Sequence, residues 1–226
     1  MNTLPKLSRV AALLLLSGWL SVTHAASAYD DAVLAFENRD YAVALDLSLP
    51  LALKSDVEAM TLLGRVYDEG FNKPHDAFPW FKKAAELGNA QAQVELAELY
   101  DAGDGVAKDT EKAIDWYEKA AAQGHDEAQL ALGLHYSEDL DDNKTAIDYF
   151  QKAAGQGNAT AQYRLGLLYL GDAGVVADKT KAWLYFSLAA NRVPEAAQAR
   201  DVLELEMSNV QMKQATLQLE QWQVSR

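Results

Sequence analysis

The chain has 226 residues, half of them hydrophobic and 23% charged, with a formal net charge of -13, a size that suits one extended domain or two small ones. With no cysteine in the sequence, disulfides, thiolate zinc sites, a lipoprotein anchor and a cysteine nucleophile are all excluded. The acidic balance repels phosphate backbones, which disfavours nucleic acid as a partner.

Residues 1–25 carry Lys6 and Arg9, then an apolar run from Val10 to Leu20, then small residues around Ala25. Positive, apolar and small in that order predicts a secretory signal peptide, with cleavage after Ala25 or after Ala28. The apolar run is too short to cross a hydrocarbon core of ~30 Å, so no stable membrane insertion is expected after cleavage. Loss of Lys6 and Arg9 would leave 18 bases against 33 acids, a balance of -15. A soluble protein in the periplasm, or secreted, is the expectation.

Residues 26–54 form a divergent leading helix pair. Ala32, Ala35 and Phe36 mark one short amphipathic helix and Asn38 to Asp40 a turn. Tyr41, Ala44, Leu45, Leu49 and Leu53 mark a second helix, bent near Pro50 because proline removes a hydrogen bond.

From residue 55 to 193 one pattern is written four times. Ala59, Leu63, Gly64 and Tyr67 recur as Ala92, Leu96, Ala97 and Tyr100, as Ala128, Leu132, Gly133 and Tyr136, and as Ala161, Leu165, Gly166 and Tyr169. At 100° per residue these positions share one arc, which predicts a helix with a buried stripe. A second segment follows each time, with a pair of aromatics and a pair of alanines three to four apart, for example Trp80, Phe81, Ala84 and Ala85 closing on Gly88. The small residue at the Gly64 position lets a neighbouring helix come close, and Gly88, Gly124 and Gly157 occupy the left-handed position that ends a helix. Successive copies are spaced 33, 36 and 33 residues apart, a period that signals a solenoid. The interval from the helix tyrosine to the next aromatic is 13 residues in the first and third copies and 16 in the second and fourth. Two short connections therefore alternate with two long ones.

Gly64 with Tyr67 and Gly70, Tyr100 with Gly103, Gly105, Val106 and Asp109, and Lys112, Ala113, Trp116, Tyr117, Lys119, Ala120, Ala121 and Gly124 resemble the Sel-one-like repeat, a relative of the tetratricopeptide repeat. Asp40, Tyr41, Ala44, Leu45, Pro50, Leu51 and Ala52 resemble the usual start of bacterial members. The resemblance covers roughly Asp40 to Ala190. It implies an all-α fold, a right-handed α/α superhelical solenoid of tandem helix-turn-helix repeats, and a protein-interaction role, common in the bacterial cell envelope or in secreted factors. The expectation is a scaffold or regulator for a protein of the envelope.

Residues 194–226 read as capping helices. One spans Glu195 to Glu206. A second starts at an N-cap, Ser208, and reaches about Trp222, with Val210, Ala215, Leu217, Leu219 and Trp222 covering the last repeat.

No catalytic constellation is evident, and the expectation is a protein that is not an enzyme, with no cofactor and no metal. None of the four histidines has metal-ligand spacing. Asp139, Asp141 and Asn143 match three positions of a calcium loop, but Lys144 replaces its glycine and Phe150 its bidentate glutamate. A solvated acidic loop over residues 137–143 is the favoured reading. The expected partner site is a groove along the first helices, at positions three and six after each alanine: Leu62 and Arg65, Glu95 and Glu98, Ala131 and Leu134, Arg164 and Leu167. These positions point away from the buried stripe. Two further readings stay open. One is a hydrolase of envelope material using Glu95 and Glu98 as paired carboxylates, and the other is a glycan-binding module using exposed aromatics.

Overall fold

The computed structural model describes residues 28–171 and 174–224, and the expected signal peptide at 1–25 lies outside them. The described residues are helical, with no strand among them. They fall into two compact units, divided between Asp109 and Thr110.

The first unit holds α1 (28–37), α2 (Tyr41–Ala52), α3 (Val57–Arg65), α4 (Pro74–Glu86) and α5 (Ala90–Ala102), with α2 packed on α3, α3 on α4 and α4 on α5. The second holds α6 (Thr110–Ala122), α7 (Asp126–Leu134), α8 (Asn143–Gly155), α9 (Ala159–Leu168), α10 (Lys179–Ala189), α11 (Pro194–Glu206) and α12 (Asn209–Val224). There each helix from α6 to α10 packs on the next, and α10 carries both α11 and α12.

Within a repeat the pairing rests on a glycine beneath a phenylalanine. A β-carbon added at Gly64 would lie 2.5 Å from the ring of Phe81, one at Gly133 2.5 Å from Phe150, and one at Gly166 2.4 Å from Phe186. All three rings are fully buried, so none can swing aside. The other aromatic of each doublet stacks on the helix tyrosine in the second unit: Tyr136 on Tyr149 at 5.6 Å and Tyr169 on Tyr185 at 5.8 Å between centroids. Large rings against small residues fill the space between helices to crystal-like density.

Consecutive repeats are joined at their tight turns. The backbone turns left-handed at Gly88, Gly124 and Gly157, with φ of 96°, 90° and 93°, and Asn89 and Asn158 then cap the next helices by accepting from the amides of Ala92 and Ala161. Gln93, Gln129 and Gln162 are buried beside these turns, and each donates its side-chain amide to a carbonyl at the end of the preceding helix, on Ala85, Ala121 and Ala154. Those carbonyls, in the last turn of each helix, also accept from the amides of Gly88, Gly124 and Gly157. Gln156 adds a rung to the next turn over, donating to the carbonyl of Gly124 at 2.7 Å.

The alternating loop lengths have a single closure. The carbonyl of the helix tyrosine accepts the amide of the residue that opens the next helix: Tyr67 from Lys73, Tyr100 from Asp109, Tyr136 from Asp142 and Tyr169 from Asp178, all at 2.7 or 2.8 Å. In the two short connections the first helix runs on through a π-helical turn, Val66–Gly70 and His135–Asp139, in which the amides of Phe71 and Leu140 reach the carbonyls of Val66 and His135, five residues back.

Two expectations are corrected. Leu53 is 67% exposed, because α2 ends at Ala52 and Leu53 only caps it. On α12, Ala215, Leu219 and Trp222 do pack on the core below, but Val210 and Leu217 are 68% and 53% exposed. At 100° per residue these two lie on the far side of the helix from Ala215 and Leu219. Ser208 caps α12 as expected, in a reciprocal pair with Gln211.

Gly166→Leu should force the ring of Phe186 out of a closed site and destabilise the protein by ~1–3 kcal/mol through overpacking. Urea unfolding reads this as a lower midpoint, and part of the loss should return when Phe186→Leu is added. An unchanged midpoint for Gly166→Leu would contradict the packing.

Candidate functional site

A cleft of about 480 Å³ with polar and aromatic lining lies in the first unit, between α1, α3 and the start of α5. Tyr29 and Phe36 come from α1, Glu58, Leu62 and Arg65 from α3, and Gln91 from α5. One acid-capped turn and one π-helical turn position these side chains. Asp56 accepts from the amide of Ala59 and fixes where α3 begins, while the π-helical turn after Arg65 carries Glu69 back beneath it.

Arg65 organises the cleft. Its Nε donates to Glu69 at 2.6 Å and lies 3.7 Å from Glu95, while its guanidinium stands 4.6 Å over the ring of Phe36. Glu95 also accepts from Gln91 at 2.8 Å. Burial pushes the Glu95 carboxyl above its ordinary value, with Gln91 and Arg65 pulling against that rise. Tyr29 at the rim is pushed up as well, by burial first and then by Glu58 and Asp56.

The eight expected groove residues divide between the units. In the first unit Leu62 and Arg65 line the cleft and Glu95 joins them through Arg65, but Glu98 is exposed and lines no part of it. Leu62 is only 5% exposed, contrary to the expectation that it points away from the buried stripe. Its helix packs on α2 and α4 at once, which leaves the apolar stripe wider than one arc. In the second unit Leu134 and Leu167 are half-buried against the core, Ala131 is half-buried, and Arg164 is paired with Glu138 at 3.0 Å. None of those four lines the cleft of the first unit.

The acidic loop is exposed over residues 138–141, as expected of a solvated loop, and its acids also find partners. Asp139 lies 2.6 Å from Nδ1 of His135, Glu138 holds Arg164, and Asp142 caps α8 by accepting from Thr145, whose hydrogen bonds hold its carboxyl below the ordinary value. Among the described residues no group of histidines and acids is arranged to hold a metal, and no helix is long and apolar enough to cross a membrane. Sequence reasoning missed Tyr29, Phe36 and Glu69 as cleft residues. Only the Arg65 and Glu69 spacing of four on one helix face could have signalled any of them.

Because the folded-state value of Glu95 is raised, its contribution to stability is complete below the ordinary value of 4.5 and is lost as pH rises through the folded-state value. Glu95→Gln should therefore raise the melting temperature at pH 7 and give no advantage at pH 4. A lower melting temperature for the variant at pH 7 would show that the pairing with Arg65 outweighs the burial.

The Sel1 repeat family model matches residues 57–89, 90–125, 126–158 and 159–192. A crystal structure of a Sel1 repeat protein from Oxalobacter formigenes is 30% identical, with 74% of this chain and 72% of that one covered and a TM-score of 0.63. A protective antigen present in uropathogenic Escherichia coli strains, which displays an SLR fold, is 28% identical with a TM-score of 0.53, and 88% of this chain aligns with 53% of that protein. A Sel1 repeat protein from Klebsiella pneumoniae shares the fold at 21% identity, with 80% of this chain and 93% of that one covered and a TM-score of 0.55. No curated protein sequence matches the chain. With four matched repeats and a 30% identical relative aligned over most of both chains, the chain belongs to the Sel1 repeat family.

Proposed function

We propose that the protein is an exported, non-enzymatic scaffold or regulator in the bacterial cell envelope, and that its protein partner seats in the cleft beside Arg65. The family generally serves as a protein-interaction scaffold. The observation that carries the reading is the cleft itself: aromatic faces from Tyr29 and Phe36, a fixed guanidinium at Arg65, and acids at Glu58 and Glu69 on one concavity. Such a mixture suits a peptide segment that brings a basic or aromatic side chain, since apolar area supplies affinity and a few placed charges supply orientation. The net charge of -13 steers a basic partner over longer range. Support for export comes from the order of Lys6, Arg9, the apolar run and the small residues near Ala25.

Two experiments test the two halves of the proposal. Intact mass and amino-terminal sequencing of the protein released by osmotic shock should begin at Ala26 or Tyr29, and a cytoplasmic protein that retains Met1 would overturn export. A photo-crosslinking residue at Glu58 should trap the partner from envelope extract, while one at Lys108 should not. Glu58→Lys should weaken association at least about tenfold while leaving the melting temperature nearly unchanged, as exposed substitutions cost within ~0.5 kcal/mol. Equal trapping from both positions would remove the cleft as the site.

A further inference from the structure

The last helix has two faces, and only one of them is used. At 100° per residue Met212, Ala215, Leu219 and Trp222 fall within an arc of about 80°, and this arc packs on the second unit's core, where Trp222 meets the ring of Tyr185 edge-on at 6.1 Å. On the opposite side Val210, Leu217 and Val224 follow one another at intervals of seven, and they are 68%, 53% and 88% exposed. Lys213 and Glu220 flank them within another arc of about 80°, and both are exposed. Isolated exposed apolar residues are ordinary. Three on one line, at heptad spacing along a helix with no neighbour on that side among the described residues, make a seam.

The seam is symmetric about Leu217. Laid antiparallel against a copy of itself, with a two-fold axis at Leu217, the helix sets Leu217 against Leu217 and Val210 against Val224. Lys213 of each copy then falls one position from Glu220 of the other. Charge favours the same occupant. The helix carries one lysine and one glutamate in 16 residues, whereas the chain as a whole carries -13. Two copies repel each other over most of their surface and meet without repulsion on this face. An anionic membrane would need a cluster of bases, and the face has one. We infer that the outer face of α12 is a self-association surface, on which a second copy of the chain docks antiparallel to form an isologous dimer.

Three apolar side chains a side make a small seam, so the dimer is weak, with a dissociation constant of roughly tens of micromolar. Sedimentation equilibrium of the full chain across roughly 1 to 300 µM brackets that value. A monomer–dimer equilibrium is expected, and it should tighten as salt is added, because salt screens the repulsion between two acidic molecules. Leu217→Glu should weaken it at least about tenfold by placing two carboxylates on the axis. Since the chain has no cysteine, disulfide trapping reads the geometry directly. Leu217→Cys should link to itself. Val210→Cys should not, because its twin lies 14 residues away along the helix, about 21 Å, but a mixture of Val210→Cys and Val224→Cys chains should link. Unchanged circular dichroism in each variant excludes unfolding as the cause. A monomer at every concentration and salt, or cross-links that form equally at all three positions, would overturn the inference. So would a chain that stays monomeric yet binds phosphatidylglycerol vesicles through Leu217.

Discussion

In three of the four repeats the helix pair depends on the bare edge of a helix meeting a phenylalanine ring. At Gly64, Gly133 and Gly166 there is no room for a methyl group beneath the ring. A glycine inside a helix costs ~1 kcal/mol relative to alanine, and burying a phenylalanine returns ~1.5–3 kcal/mol, so the exchange favours the packed pair only if the ring is covered completely. Phe81, Phe150 and Phe186 are so covered. Once that contact sets the helix pair, the alanine doublets and the stacked tyrosines occupy what space is left. The buried glutamines then bind one pair to the next through backbone carbonyls, a link that apolar packing alone would leave free to slide.

What the sequence showed plainly was what short spacings control. The two helices of each repeat, the left-handed glycines that close them and the Ser208 cap all follow from residues within a turn or two of one another. Gln93, Gln129 and Gln162 escaped notice because a polar residue beside an apolar stripe reads as surface, and only the folded chain brings it to a carbonyl eight residues back. The difference between 13- and 16-residue intervals was visible, but not that the short ones are made by π-helical turns. Leu62 was misread for a related reason: its burial comes from neighbours on several sides, and a single helical wheel has no record of them. Val210 and Leu217 erred the other way, counted as cover for the last repeat although the wheel itself separates them from Ala215.

Arginine is the residue on which the site's chemistry turns. Arg65 and Arg164 were expected as open cations along a groove. Instead Arg65 is held by Glu69, Glu95 and the face of Phe36, and Arg164 by Glu138. Exposed ion pairs contribute little to stability, so these contacts matter for order rather than for energy. A guanidinium whose rotamers are already fixed loses less entropy when a ligand arrives. Glu95 contributes to that order while bearing the cost of its own burial, a sign that the position of Arg65 is maintained at some expense to the fold.

The tyrosine carbonyl that closes each loop uncouples the length of a connection from the register of the helices it joins. Six residues from Tyr136 to Asp142 and nine from Tyr169 to Asp178 end on the same hydrogen bond, so the closure is kept across a difference of three residues. Loop-closure entropy rises only slowly with length. Variation in these segments is therefore nearly invisible to the core. An array built this way can change what its loops present to the outside while its interior goes on being selected for one unchanging shape.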